Sequence, residues 1–424
     1  MGLAGAIVLG ACGSSGSNGS TTGTSTTGGT NPLVFAVFNP FSGPDASFGP
    51  EQLAGCLPAA AAIEAAGGIF GHVVVTCKTS DSRGDPADAV PAAEQLIATT
   101  SNLVGVLGPS SDEASATVPL FNRASIPMFG DTGQAIFNTS TFQYFYRITP
   151  PDDATGYAIA LWAHDKGYKT AAAVFGSDIS SQGSYPTVIA GFKHLGGNIV
   201  LAQLIPLDQS SYRTEIESLI AVHPDVIFTE ADPQSSATYM GELKQLYHML
   251  PIIGTTGTTQ PPWLKAVGDA VGASAFKTYF TAAQPYAPVT GATYDQWLAE
   301  IKAVKSKVPQ PASQWYADSY SMAAWDSINI MALAMLEAKS VNPVDFNAYI
   351  TKVTAPSAGA VLVHSYAEGK QALAAGKKIQ YIGAVGEITF DKYRNSPGAF
   401  EIVASDGTTA VQTYTAAQIS AVKP

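Results

Sequence analysis

Charge is what this sequence has least of. Of its 424 residues only 13% are Asp, Glu, Lys or Arg, against roughly a quarter in an average soluble domain. The 22 Lys and Arg are outnumbered by 33 Asp and Glu, which leaves a net charge of −11. Such a chain has no basic footprint for wrapping phosphates and no polybasic stretch for an anionic membrane, so nucleic acid is not an expected partner. Cysteine is scarce as well, with three in all and no C-x-x-C pair. The six His show neither H-E-x-x-H nor H-x-H spacing, so no metal centre is expected. Beyond the first dozen residues no apolar run approaches the ~20 residues that cross a bilayer.

The usual catalytic and cofactor signatures are also missing. There is no Walker loop, no G-x-S-x-G elbow and no G-x-G-x-x-G after the first strand-like segment. Asp131-Thr132-Gly133 is a solitary D-T-G, whereas aspartic-protease chemistry needs two such carboxylates sharing one proton. Ser274 to Lys277 matches S-x-x-K without the S-D-N and K-T-G elements that accompany it in β-lactamases. The expectation is a protein without a cofactor that binds rather than catalyses.

What is present is apolar: 46% of residues are hydrophobic, far too many for a disordered chain. Residues 1–12 (MGLAGAIVLGAC) resemble the end of a signal peptide, and Leu9-Gly10-Ala11-Cys12 resembles the lipobox of bacterial lipoproteins. Cys12 would then carry the lipid, residues 1–11 would be removed, and the Gly/Ser/Thr tract over 12–30 would be a flexible tether. A chance cysteine after small residues is the alternative. Cys56 and Cys77 remain, an even pair in a chain bound for a non-reducing compartment, which predicts a disulfide; two buried free thiols are the other reading.

From residue 33 strand-like and helix-like segments alternate, the pattern of parallel sheets covered by helices. Strands are expected near residues 33–38, 73–77, 103–107 and 126–129, with helices over 50–66, kinked at Pro58, and from Asp85-Pro86 through 97. A second block sets helices at 155–166, 186–195, 212–222 and 235–249 among strands at 170–175, 198–204, 226–229 and 251–253. A long helix over 317–338 and strands at 400–404 and 410–413 follow. The strands end in loops of small and polar residues, and ligands of open parallel sheets bind beyond the carboxyl ends of strands.

Several segments in this order resemble the type I periplasmic binding proteins, in particular the Leu/Ile/Val-binding branch of ABC-importer receptors. They are AAGGIFG after the first helix, TSDSRGDPADAVPAAEQLI over 79–97, GVLGPSS over 105–111, YRITP over 146–150, Ala324-Trp325-Asp326 in the long helix, and GKKIQYIGAVGEITFD over 376–391. The resemblance implies an α/β fold of two doubly wound parallel-sheet lobes joined by a three-crossing hinge, with residues 31–149 plus 281–395 in lobe 1 and 150–280 plus 396–424 in lobe 2. It also implies a disulfide near Cys56 and Cys77.

The same resemblance implies a ligand held between the lobes. Phe48 would lie over it, and Ser110, Ser111, Thr132, Gly133 and Gln134 would receive a carboxylate. Ser181, Asp232 and Thr256 stand where amino-acid receptors of the family place two tyrosines and a glutamate. Asp232 or Glu230 would pair with an ammonium, or else be solvated loop acids; Asp112 and Glu113 read as helix-start residues. Trp315, Tyr316 and Tyr286 read as packing residues, with the hinge side of the cleft as the alternative. Hydroxyls, backbone N–H groups and a few carboxylates are expected to recognise the solute, which disfavours strongly anionic ligands. The expected protein is a monomeric, lipid-anchored extracytoplasmic receptor that delivers a small polar solute, an amino acid or related zwitterion, to an ABC permease. A sensory ectodomain for a membrane signalling partner and a hydrolase are the rival readings.

Overall fold

The computed structural model describes residues 31–424 apart from Pro44; the expected signal remnant, the lipidated Cys12 and the tether lie outside the described residues. The first sheet is built from β1 (Leu33–Asn39), β2 (Val75–Asp81), β3 (Leu103–Ser110), β4 (Met128–Asp131) and β5 (Phe145–Tyr146). Its central strands are buried on both faces, as covered parallel strands must be, while the edge strand β2 is polar and partly exposed. All pair in parallel, in the order β2-β1-β3-β4-β5. The second sheet begins with β6 (Thr170–Gly176), β7 (Asn198–Ile205), β8 (Val226–Glu230), β9 (Ile252–Gly254) and β10 (Phe280–Pro285). A small sheet follows from β11 (Val361–Val363), β12 (Ile379–Gly383) and β13 (Gly386–Glu387). Finally β14 (Phe400–Ala404) and β15 (Ala410–Tyr414) return to the second sheet, whose order is β15-β14-β10-β9-β8-β6-β7.

The chain therefore passes between the two large sheets three times, after β5, after β10 and before β14. Core packing follows those passages. One core joins Phe35, Val37 and Leu107 of the first sheet to Trp297, Trp325 and Tyr381 far along the chain. On the two faces of the second sheet, separate cores collect residues of β6 to β10 together with Val403 or Ile402 of β14. The second sheet includes β10, so it runs five residues beyond the boundary expected at 280. That segment, FTAAQP, has few β-branched or aromatic residues, and its strand state comes from pairing with β9 and β14.

Helix starts follow local capping rules. Asp85 Oδ1 accepts from the Ala87 amide at 2.7 Å with Pro86 in the first turn. Asp318 Oδ1 accepts from the Ser321 amide at 2.6 Å and opens the long helix Ser319–Ala338, which is buried almost throughout. At its centre Asp326 accepts from Tyr381 Oη at 2.7 Å and from the Ala384 and Val385 amides at 2.9 and 3.1 Å. Burial nonetheless pushes its carboxyl up to about 7. The helix Phe48–Ala65 continues through Pro58. Cys56 and Cys77 are bonded to each other and tie that helix to β2, with Cα atoms 6.1 Å apart.

Candidate functional site

The carboxyl ends of both sheets and the first crossing frame a narrow cleft of about 50 Å³. Its first-lobe wall carries Phe48, Glu51, Ser111, Asp131, Gly133 and Tyr320. Opposite stand Asp152, Thr155, Ser180, Ser184, Glu230 and the turn from Thr255 to Gly257, with Gln260 beyond it. A smaller cavity continues from it past Phe48 and Glu230 to Asp45, Ser181 and Asp232.

Several hydrogen bonds cross the gap, among them one from the Asp152 amide to the Gly133 carbonyl at 2.9 Å. Gln260 Nε2 donates to Glu51 Oε1 at 2.8 Å, and the Ser180 amide donates to Asp112 Oδ1 at 2.8 Å. This is the closed arrangement of the two lobes. Glycine makes the closeness possible. Asp152, in the first turn of helix Asp152–Asp165, wedges its carboxyl between the lobes: a Cβ on Gly133 would meet Oδ1 at 1.8 Å, and one on Gly183 would meet Oδ2 at 2.1 Å. A Cβ on Gly257 would likewise meet Glu230 Oε1 at 2.3 Å.

The electrostatics of the cleft are one-sided. No Lys or Arg lines it, and the four ion pairs among the described residues lie elsewhere. Burial, then the charges of Asp318, Glu113 and Asp152, push Asp131 up to about 8, against a side-chain bond from Gln52. Burial pushes Asp152 up to about 7, with Arg147 opposing and Asp153 adding. Glu230 is held well above the usual carboxylate range by burial and by Asp152, Asp178 and Asp45, although Thr255 Oγ1 donates to it at 2.5 Å. Glu51 is raised by burial and by Asp318 and Asp131, and the Glu51 and Asp318 carboxyls are close enough to share a proton. Asp45 and Asp112 form a second such pair.

Of the residues singled out in the sequence, Phe48, Ser111, Gly133, Glu230 and Thr256 line the cleft. Ser181 and Asp232 line the smaller cavity. Ser110 is turned inward and donates to Glu113 Oε2 at 2.8 Å, as part of a capping box. Thr132 and Gln134 stand behind the wall: Thr132 Oγ1 pairs with Ser111 Oγ at 3.1 Å, and Gln134 Nε2 donates to the Ser111 carbonyl at 2.8 Å. Asp232 is a helix cap, its Oδ1 accepting from the Gln234 and Ser235 amides at 2.9 and 3.0 Å. Replacing it, Asp232→Ala, is expected to lower unfolding stability by about 1 kcal/mol in a urea titration.

Asp112 and Glu113 do open a helix, and Asp112 also reaches across the gap. Trp315 is buried packing, while Tyr286 lies at a separate hinge cavity.

Glu51, Asp152, Asp318, Tyr320 and Gln260 were not singled out, and Asp131 was weighed only as a protease motif. Glu51 sits three residues after Phe48, and Asp131 begins a strand-end loop, so both carried a positional signal. Asp152, Asp318 and Tyr320 lie at helix starts near the hinge, outside every strand-end loop. In the lining, seven hydroxyl side chains stand beside four carboxyls, Glu51, Asp131, Asp152 and Glu230, so the hydroxyl-rich wall carries more acids than the strand-end loops alone supply, because helix starts contribute to it as well.

No curated protein matches the chain in sequence. Among solved structures, a leucine-binding protein from Thermotoga maritima is similar with a TM-score of 0.72 and 17% identity, over 90% of this chain and 99% of that one. A branched-chain amino acid transporter substrate-binding protein from Streptococcus pneumoniae, in complex with isoleucine, has a TM-score of 0.72 at 16% identity, over 91% and 99%. An ABC-transporter solute-binding protein from R. palustris in complex with benzoate has a TM-score of 0.69 at 14% identity, over 91% and 96%. At such identities the likeness shows a shared fold. The family model described as periplasmic binding protein spans residues 32–420, which takes in both sheets and every wall of the cleft, and the chain belongs to the periplasmic binding protein family.

Proposed function

We propose that the protein is a lipid-anchored extracytoplasmic receptor that encloses a small polar solute bearing an ammonium group, as amino acids and amines do, and delivers it to an ABC permease. Solute-binding proteins of this family bind small molecules and work with such permeases. No helix among the described residues is long and apolar enough to cross a membrane, so on this reading attachment rests with the lipid on Cys12.

The observation that carries the reading is the enclosed cleft bridged by Gln260 to Glu51 and Ser180 to Asp112. A solute that touches both lobes adds differential affinity for the closed state and shifts the population toward it. The ammonium follows from Asp131, Asp152 and Glu230 standing in a wall whose lining holds no lysine or arginine, where a charge-assisted bond is worth roughly 1.5 to 3 kcal/mol.

Calorimetry against a panel of amino acids, amines, amides and organic acids, paired with small-angle scattering, tests this. One chemical class is expected to bind with one-to-one stoichiometry and to compact the protein. If no member of the panel gives heat or compaction, the receptor reading is wrong; turnover of a bound solute without a partner protein would make it an enzyme instead.

A further inference from the structure

The wall that the family resemblance assigns to a ligand carboxylate is not free to take one here. Ser111 Oγ and Thr132 Oγ1 are bonded to each other, which uses one of their two hydroxyl donors. The face of Gly133 is covered by the protein's own Asp152 carboxyl, within 1.8 Å of where a Cβ would stand, and Asp131 lies beside it in the same wall. An incoming carboxylate would find that face already occupied, and wherever Asp131 or Asp152 is ionised it would meet a like charge at contact, which is destabilising.

A second, independent feature asks for a donor. Gln260 is only 7% exposed and lines the cleft. Its Nε2 is committed to Glu51, and its Oε1 is a buried acceptor with no partner. The buried Thr256 Oγ1 is unpartnered as well. Unpaired buried polar atoms of this kind cost free energy that a ligand N–H recovers.

The carboxyl groups are also spread out. Asp131 ends β4, Asp152 opens the helix at the first crossing, and Glu230 ends β8. Among the described residues no three acidic, imidazole or thiol groups converge closely enough to hold one metal ion. One compact charge therefore cannot satisfy them all, whereas a molecule with cationic nitrogens at two ends can. Phe48 and Tyr320 supply the aromatic surface over which such a cation is favourable.

From these placements we infer that the solute is an aliphatic organic cation without a carboxylate, a diamine or guanidino-amine, whose nitrogens are received by Asp131, Asp152 and Glu230 with Gln260 Oε1. The inference rests on the receptor reading above and narrows it from ammonium-bearing solutes to those lacking an acid group.

Matched pairs that differ only by the carboxylate test it on the unaltered protein: agmatine against arginine, cadaverine against lysine, with putrescine, leucine and benzoate alongside. Calorimetry is expected to show each decarboxylated member binding at least tenfold more tightly than its amino acid, with affinity falling as salt rises. Binding should release protons, read as heats that differ between phosphate and Tris buffers, because carboxyls kept protonated by burial ionise when a cation arrives. Asp152→Asn and Asp131→Asn, which keep shape and remove charge, should each weaken agmatine or putrescine at least tenfold. If arginine or lysine binds as tightly as its amine, or leucine or benzoate binds while the amines do not, the inference is overturned and the receptor reading stands. If the amines and every other class in the wider panel fail, the receptor reading falls with it.

Discussion

Without ligand, small-angle scattering is expected to show the protein closed near pH 5 and opening as the pH rises through 7 to 8. The carboxyls that drive this face one another from both lobes: Asp45, Glu51, Asp112, Glu113, Asp131 and Asp318 from the first, Glu230 from the second, and Asp152 at the crossing, with the charge of Asp178 acting on Asp45, Asp112 and Glu230 and Arg147 the one cation acting on Asp152. In an open cleft water solvates these groups and they return toward the ordinary range near 4. Closed, Asp152 rises to about 7 and Asp131 to about 8.

The closed form thus holds extra protons between those limits. Its advantage is complete below the open-state values and is lost as the pH climbs through the closed-state ones. One pKa unit corresponds to about 1.4 kcal/mol, so two groups shifted by several units supply the roughly 5.5 kcal/mol that takes a population from 99:1 to 1:99. A radius of gyration unchanged from pH 5 to 9 would refute this coupling, and a bound organic cation is expected to restore closure at the upper end.

Arg147→Leu is expected to lower unfolding stability by about 3 to 5 kcal/mol, the cost of breaking a buried charged network by removing one member. Arg147 is 1% exposed and stands where the chain first leaves the first sheet. Its Nε donates to Asn395 Oδ1 at 2.7 Å, at the approach to the third crossing. Nη1 donates to the Thr132 and Gln134 carbonyls at 3.3 and 3.1 Å, and Nη2 to Asn138 Oδ1. Burial lowers its pKa to about 10, so it is charged at neutral pH.

Leucine fills much of the volume but leaves the Thr132 carbonyl and two amide oxygens without a donor, and it strips Asp152 of its one nearby cation. Arg147→Lys should rescue only part of the loss, because one ammonium cannot reproduce a guanidinium fork. Urea unfolding measures both variants. A loss below 1 kcal/mol for the leucine variant would mean that the crossings hold together without this residue.

The fold was written locally and could be read. LVFAVF over 33–38 has to be a covered strand, Asp85-Pro86 has to open a helix, and repeated alternation of such segments has to build parallel sheets, because these preferences act within a few residues. Short, weakly biased segments escaped: Phe280–Pro285 and Ile379–Gly383 take their strand state from the strands they pair with rather than from composition.

The site was legible only where it follows chain order, at Phe48, Ser111, Gly133, Glu230 and Thr256. Its character was not, since Glu51, Asp131, Asp152, Glu230 and Asp318 are separated by up to 267 residues of chain. By itself, then, the sequence determined the alternation that makes two covered parallel sheets and the small, polar strand ends that leave a cleft between them. Which acids face one another across that cleft was decided only by the tertiary structure. A pKa and a ligand preference depend on distance and desolvation in space, and neither is a property of any segment read alone.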